Sequence, residues 1–173
     1  MSWKLAPALD QLFDDVNRLW PTRSKALDGT IGDAAHAARK SEHNPNREPG
    51  DDVPDGYVTA ADITKAGVDV ARLLAALIGD KRVWYVIHDG RIYSRTYDWV
   101  ARYYTGSNPH THHVHVSLRQ TKSACDDRSP WLTNTGRIPV PVETPLQRAR
   151  RIASQRLRRI RNLTKRLRRA KRN

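Results

Sequence analysis

Hydrophobic and polar residues alternate along this chain with a period that changes several times, and each change marks an element. In "APALDQLFDDVNRLW", Leu9, Leu12, Phe13, Val16 and Trp20 recur at three- and four-residue steps, the spacing that gathers side chains on one face of a helix. Pro21 ends that run, because proline has no N–H to continue a helical ladder. "GVDVARLLAALIGD" repeats the pattern with Leu73, Leu74, Leu77 and Ile78 on its inner face. Elsewhere the period drops to two. "RVWYVIHDGRIYSR" sets two β-rich runs on either side of Asp89-Gly90, a pair suited to a tight turn with positive φ, so a hairpin is expected. "YVTAADIT" reads as a short buried strand, and "HVHVSL" as a strand of strict alternation.

The intervening stretches are punctuated rather than periodic. "ALDGTIGDAAHAARKSEHNPN" carries Gly and Asn breaks, with one short helix expected over 34–39, and "NREPGDDVPDG" is an acidic loop rich in Pro and Gly. "DWVARYYTGSNPH" predicts a short helix and then a loop. Helices and strands are interspersed, with at least one antiparallel pair. The expected fold is therefore α+β, a small antiparallel sheet with flanking helices.

Charge divides the chain differently. Residues 1–144 hold 18 Lys+Arg against 18 Asp+Glu, whereas residues 145–173 hold 13 cations and no acid. The whole formal net charge of +13 thus belongs to the tail. The organisation expected is a neutral domain over 1–132, a linker over 133–144 stiffened by proline, and a basic tail over 145–173. Thr144, Pro145 and Gln147 form a helix start. Leu146, Ala149, Ala153, Leu157, Ile160, Leu163, Leu167 and Ala170 then make an apolar stripe among arginines, so the tail is expected to be a basic amphipathic helix. The single cysteine, Cys125, excludes an intramolecular disulfide. The N-terminal "MSWKLAPALDQLFDD" lacks the apolar core of a signal peptide, and no apolar run is long enough to span a membrane.

Four of the seven histidines fall within "HTHHVH", His110 to His115. Alternate residues of a strand share a face, so His113 and His115 point together while Val114 and Val116 point into apolar packing. His112 is offset at the strand entry. Asp62 lies inside the apolar run "VTAADIT", where a carboxylate without a partner is costly. A metal would compensate it. His43 from the polar loop "SEHNPN", Asp62 and His115 would supply three ligands and leave the fourth position of a tetrahedral zinc open to water. A solvated His-rich patch, and a cap formed by Asp62 at Thr64 and Lys65, are the plainer alternatives. Asp51, Asp52 and Asp55 read as solvated loop residues.

The islands "SEHNPN", "GYVTAADIT" and "HTHHVHVSL" together resemble the zinc D,D-peptidase and hedgehog-like superfamily, and within it the peptidase domains of phage endolysins. The resemblance covers separate islands between Gly29 and Leu118. Its Ser-x-His matches Ser41-Glu42-His43, its Ala-x-Asp matches Ala60-Ala61-Asp62, and its closing His-x-His matches His113-Val114-His115. It implies zinc-assisted hydrolysis of an amide bond in the peptidoglycan stem peptide or cross-link by a monomeric enzyme, with D-alanyl-D-alanine carboxypeptidase activity as the alternative. His113 is then the favoured proton acceptor or oxyanion partner, His112 the alternative base, and Arg39 a binder of the substrate carbonyl or carboxylate, or else a surface arginine. Two departures stand out. Asn44 to Ala61 make an interval longer than the family's usual one, so an extruded loop is expected. The position three before His115, commonly acidic in the family, is His112.

His36 and His110 take no assigned role, His88 is expected at the surface of the hairpin turn, and Tyr103, Tyr104 and Ser107 are cleft-lining candidates. Other classes fit less well. A two-histidine phosphodiesterase needs a second His-x-Thr/Ser motif, which the remaining histidines do not supply, and a phosphate channel should be basic. A non-catalytic binding module would not need a complete ligand set. The tail suits anionic envelope polymers or a membrane surface, and nucleic acid without sequence preference. Cytoplasmic synthesis without a signal peptide implies release by a holin-type route or delivery in a virion.

Overall fold

The computed structural model describes residues 2–32 and 40–132. The short helix expected over 34–39, with His36 and Arg39, lies outside the described residues, as do the linker 133–144 and the tail 145–173. The described chain is an α+β fold with the elements β1 (Lys4–Leu5), α1 (Pro7–Leu19), β2 (Tyr57–Val58), β3 (Ala60–Thr64), α2 (Val70–Leu77), β4 (Val83–His88), β5 (Arg91–Ser94), a 3-10 turn (Arg95–Tyr97), β6 (Arg102–Tyr103), β7 (His113–Leu118) and α3 (Lys122–Cys125).

Local chemistry starts and stops these elements. Pro7 opens α1, where its fixed φ is already helical and its missing N–H is no loss. The Asp69 carboxylate accepts from Arg72 N at 3.0 Å and caps α2. Asp89 and Gly90 both take positive φ, 46° and 66°, and close the β4–β5 hairpin. Two expectations give way. "YVTAADIT" is not one strand: β2 pairs in parallel with β1, while β3 joins the main sheet. The helix expected in "DWVARYY" does not form, because Asp98 and Trp99 take left-handed φ values of 51° and 61°. The chain turns there and adds β6 to β5 instead.

The main sheet has the order β3-β7-β4-β5-β6, with every neighbouring pair antiparallel. Its register explains how it is used. Ala61 faces Val116 and Ile63 faces Val114, whereas Asp62 faces His115 and Thr64 faces His113. One face therefore carries small and branched apolar side chains and the other carries polar ones. On the apolar face, Ile63, Val86, Val114 and Val116 join Leu9, Leu12 and Val16 of α1 and Leu73 and Leu77 of α2 in a single buried cluster. Each such side chain contributes about 1.5–3 kcal/mol by leaving water.

Two buried charges tie the end of the domain to this core. The Asp15 carboxylate accepts from Trp131 N at 2.7 Å, Leu132 N at 3.1 Å and Arg18 Nη2 at 2.9 Å. Arg82 donates to Asp80 and to Ser129 O at 2.6 Å, and its guanidinium lies 3.3 Å from the Trp131 ring centroid. The long interval between His43 and Asp62 is an extruded loop, as expected. Asn46 closes its neck, giving N–H to Tyr57 O at 2.7 Å and accepting at its carbonyl from Gly56 N at 2.8 Å. Asp51, Asp52 and Asp55 are exposed, and Asp52 holds the loop to α3 through Lys122 N at 2.9 Å.

Candidate metal centre

The polar face of β3 and β7 brings Asp62 and His115 side by side, because they are cross-strand partners. His115 Nδ1 lies 2.9 Å from Asp62 Oδ1. His43 arrives from outside the sheet. Gly29 pairs with Asp62 along the edge of β3, its N–H reaching Asp62 O at 3.0 Å while its own carbonyl accepts from Asp62 N at 2.7 Å. A Cβ at Gly29 would stand 3.2 Å from Asp62 Oδ2, a tight contact that would press on the carboxylate. Thr30, the next residue, presents its carbonyl to His43 Nδ1 at 2.8 Å. That bond turns His43 Nε2 inward, 3.2 Å from His115 Nδ1 and 3.5 Å from Asp62 Oδ2.

Both imidazoles thus keep an outward nitrogen on a fixed oxygen. For His43 it is Thr30 O, and for His115 Nε2 it is Ser117 Oγ at 3.0 Å. Their remaining nitrogens face the carboxylate. Anchored outer nitrogens that fix ring orientation, with inner nitrogens converging on a carboxylate, are the arrangement a metal requires. His43, Asp62 and His115 could hold a metal ion, with ligand atoms within 4.8 Å of one another. Burial opposes ionisation of Asp62, but hydrogen bonds and charges from His115 and His43 outweigh it and hold the carboxyl far below the usual range. Burial likewise opposes protonation of His43, yet its hydrogen bond to Asp62 and that carboxylate's charge raise its pKa.

The second imidazole pair differs. His113 shares the face of His115, and its Nε2 lies 3.6 Å from Asp62 Oδ1. His112 is exposed and outside the cleft lining. In its place the fold delivers His110, which is 7% exposed and packs its ring 4.8 Å from His113 and 5.2 Å from His115 between centroids. Its backbone sits at φ 54°. The hairpin tip holds it there, since Asp89 N donates to His110 O and Gly90 N to Pro109 O. Burial, then the neighbouring His115 and His113, push the His110 pKa down to about 4. Burial also lowers that of His113, with the Asp62 charge opposing. Asp62, His110 and His113 form a second group that could hold a metal.

His43, Asp62, His110 and His115 line a cleft of about 350 Å³ that also takes in Tyr85, Tyr104 and Ser107, with His113 behind it. Tyr85 stacks on His115 at 5.5 Å, with 22° between the planes, and its hydroxyl donates to Glu42 at 2.8 Å. Burial and the Glu42 charge raise the Tyr85 pKa, so it stays a neutral phenol. The cleft adjoins a groove of about 700 Å³ between the extruded loop and Trp84, with Lys40, Ser41 and Glu42 common to both. Tyr103 does not line the cleft: it is 78% exposed beneath Arg91. His88, expected at the surface, has a side chain only 11% exposed beside Asp89.

Sequence reasoning missed the positions of His110, Tyr85, Glu42 and Ser117. Alternation along β7 carries the signal for Ser117; Tyr85 is its cross-strand partner, which β4's own sequence does not mark. No protein-family model, curated protein or solved structure matches the chain. Among the described residues no helix is long and apolar enough to cross a membrane.

Proposed function

We propose that the domain is a zinc-dependent peptidase that hydrolyses an amide bond of the peptidoglycan stem peptide or cross-link, as its motif islands resemble the D,D-peptidase and hedgehog-like enzymes. The observation that carries the reading is the carboxylate of Asp62 kept ionised between inward-facing nitrogens of His43 and His115, whose outer nitrogens are anchored. Two nitrogens and one carboxylate oxygen are the donor set of a hydrolytic zinc that keeps one position open. A zinc ion held there would supply Lewis-acid polarisation of the scissile carbonyl and lower the pKa of water toward neutrality.

The chain's own groups do the rest. His113, kept neutral by burial, takes the proton of the attacking water at Nε2 and returns it to the leaving amine as the C–N bond breaks. Water adds to the carbonyl carbon, so the products are a carboxylate and an amine. His110 walls the cleft beside the reacting carbonyl and donates to it as negative charge develops, while Tyr85, its hydroxyl given to Glu42, packs against His115. The adjoining groove accommodates peptide on the far side of the cut, which favours an endopeptidase over a D,D-carboxypeptidase.

The basic tail at 145–173 holds the enzyme to anionic envelope polymers or membrane surface, after holin-type release or virion delivery. Deleting it should weaken lysis of whole cells more than cleavage of soluble muropeptide. Mass spectrometry of purified peptidoglycan digested with the full chain, with and without a chelator, tests the main reading. New amine and carboxylate ends that vanish with chelator support it. Release of D-alanine alone would point to the carboxypeptidase, and undigested peptidoglycan would overturn the proposal.

A further inference from the structure

Two ring nitrogens beside the first ligand set, His110 Nδ1 and His113 Nε2, are buried without a hydrogen-bond partner. A buried polar atom left unpaired costs about 1–3 kcal/mol, and here two lie together. Both belong to imidazoles whose rings meet edge to face; one nitrogen of each ring and an Asp62 oxygen lie within 4.8 Å of one another, and His113 Nε2 itself is 3.6 Å from Asp62 Oδ1. His110 reaches this position only through a left-handed backbone, a conformation that persists where surrounding contacts enforce it. The backbone bonds from Asp89 and Gly90 supply that enforcement.

We propose that His110, His113 and Asp62 form a second divalent-metal site, weaker than the one made by His43, Asp62 and His115 and joined to it through the shared carboxylate. The proposal rests on the metal reading of the first set. Asp62 lies between the two groups of imidazoles, with Oδ1 2.9 Å from His115 Nδ1 and 3.6 Å from His113 Nε2, and Oδ2 3.5 Å from His43 Nε2. A bridging carboxylate offsets the repulsion between two dications. The second site is the weaker for two reasons. The cations still repel, and among the described residues neither the His110 nor the His113 ring has a hydrogen bond to orient it, unlike His43 and His115. Outer anchors of that kind are worth about 10–100-fold in metal affinity. An ion bound there would occupy the lone pairs that proton transfer requires, so excess metal would act as a brake on the enzyme.

Zinc titration of the full chain, followed by equilibrium dialysis and metal analysis, tests this. The wild type should bind two equivalents, the second about tenfold or more weaker than the first. His110→Ala and His113→Ala should each keep the tight equivalent and lose the second, while His112→Ala keeps both. His110→Gln and His113→Gln repeat the test with less loss of packing, and circular dichroism verifies the fold of each variant. Saturation of the wild type at one equivalent overturns the second site alone. Retention of two equivalents by His110→Ala and His113→Ala does the same, because the second ion then sits elsewhere. If the wild type lacks a tight equivalent, or His43→Ala keeps it, the first site falls and this one with it. In cobalt(II)-loaded protein the second equivalent should weaken the paramagnetic resonance signal of the first, and two simply additive signals would overturn the bridge.

Discussion

Asp15 and Asp62 are both carboxylates withdrawn from solvent, and the domain treats them in opposite ways. Around Asp15 stand N–H groups that never give up their protons: two backbone amides, from Trp131 and Leu132, the Arg18 guanidinium and the Gln11 amide. Around Asp62 stand imidazoles, which trade a proton for a metal within the ordinary pH range. Burial works against ionisation at both, and in both cases hydrogen bonding wins and the pKa falls. The difference lies in what the donors can exchange. A carboxylate satisfied by fixed donors is a rivet, while one satisfied by exchangeable donors is a site. Asp28 is of the first kind, gripped at both oxygens by the buried Arg23 guanidinium at 2.8 and 2.5 Å.

The contrast can be broken by substitution. Asp62→Asn should abolish stoichiometric zinc and peptidoglycan cleavage while moving the urea midpoint little, as read by metal analysis and denaturation on the same sample. Asp15→Ala should do the reverse. It strands two backbone N–H groups and should lower stability by about 3 kcal/mol, with zinc content unchanged. Loss of zinc from well-folded Asp15→Ala protein would erase the distinction. Ser117→Ala removes the outward anchor of His115 without touching a ligand, and zinc affinity by competition with a chromophoric chelator should fall about 10–100-fold.

The smallest expected effect is a separation along the pH axis. A raised pKa means that His43 holds its proton to higher pH, so protons compete with zinc from above the ordinary imidazole value of about 6.5. The carboxyls of Asp15 and Asp28 are depressed, so their contribution to stability is complete above about pH 4 and is lost as pH falls through the depressed values. On acidification zinc should leave first and the fold should fail later, with metal retention and tryptophan fluorescence tracing two distinct curves. A single coincident transition would contradict the separation.

Much of this was legible in the chain. The alternation of "HVHVSL" separates Val114 and Val116 from His113 and His115 because strand geometry is local, and Asp89-Gly90 announces its turn for the same reason. His110 was not legible. Its position depends on backbone bonds to a hairpin tip some twenty residues earlier and on a left-handed φ that no periodicity signals. The helix expected over "DWVARYY" failed on similar ground, since Asp98 and Trp99 reverse the chain against their usual preferences. The division of "YVTAADIT" between two sheets is decided by β1, a partner more than fifty residues away.

The neck of the extruded loop has one more consequence. Asn46 bonds across to Gly56 and Tyr57, so residues 47–55 begin and end at nearly the same point in space. The loop's exposed stretch 47–51, ahead of the Asp52 bond to α3 and the buried Val53, can be lengthened, shortened or exchanged without moving His43 or Asp62 on either side of it. It forms one wall of the groove beside the cleft. For an engineer, and equally for a lineage under changing selection, it is a cassette: substrate preference can be rewritten there while the metal centre is inherited intact.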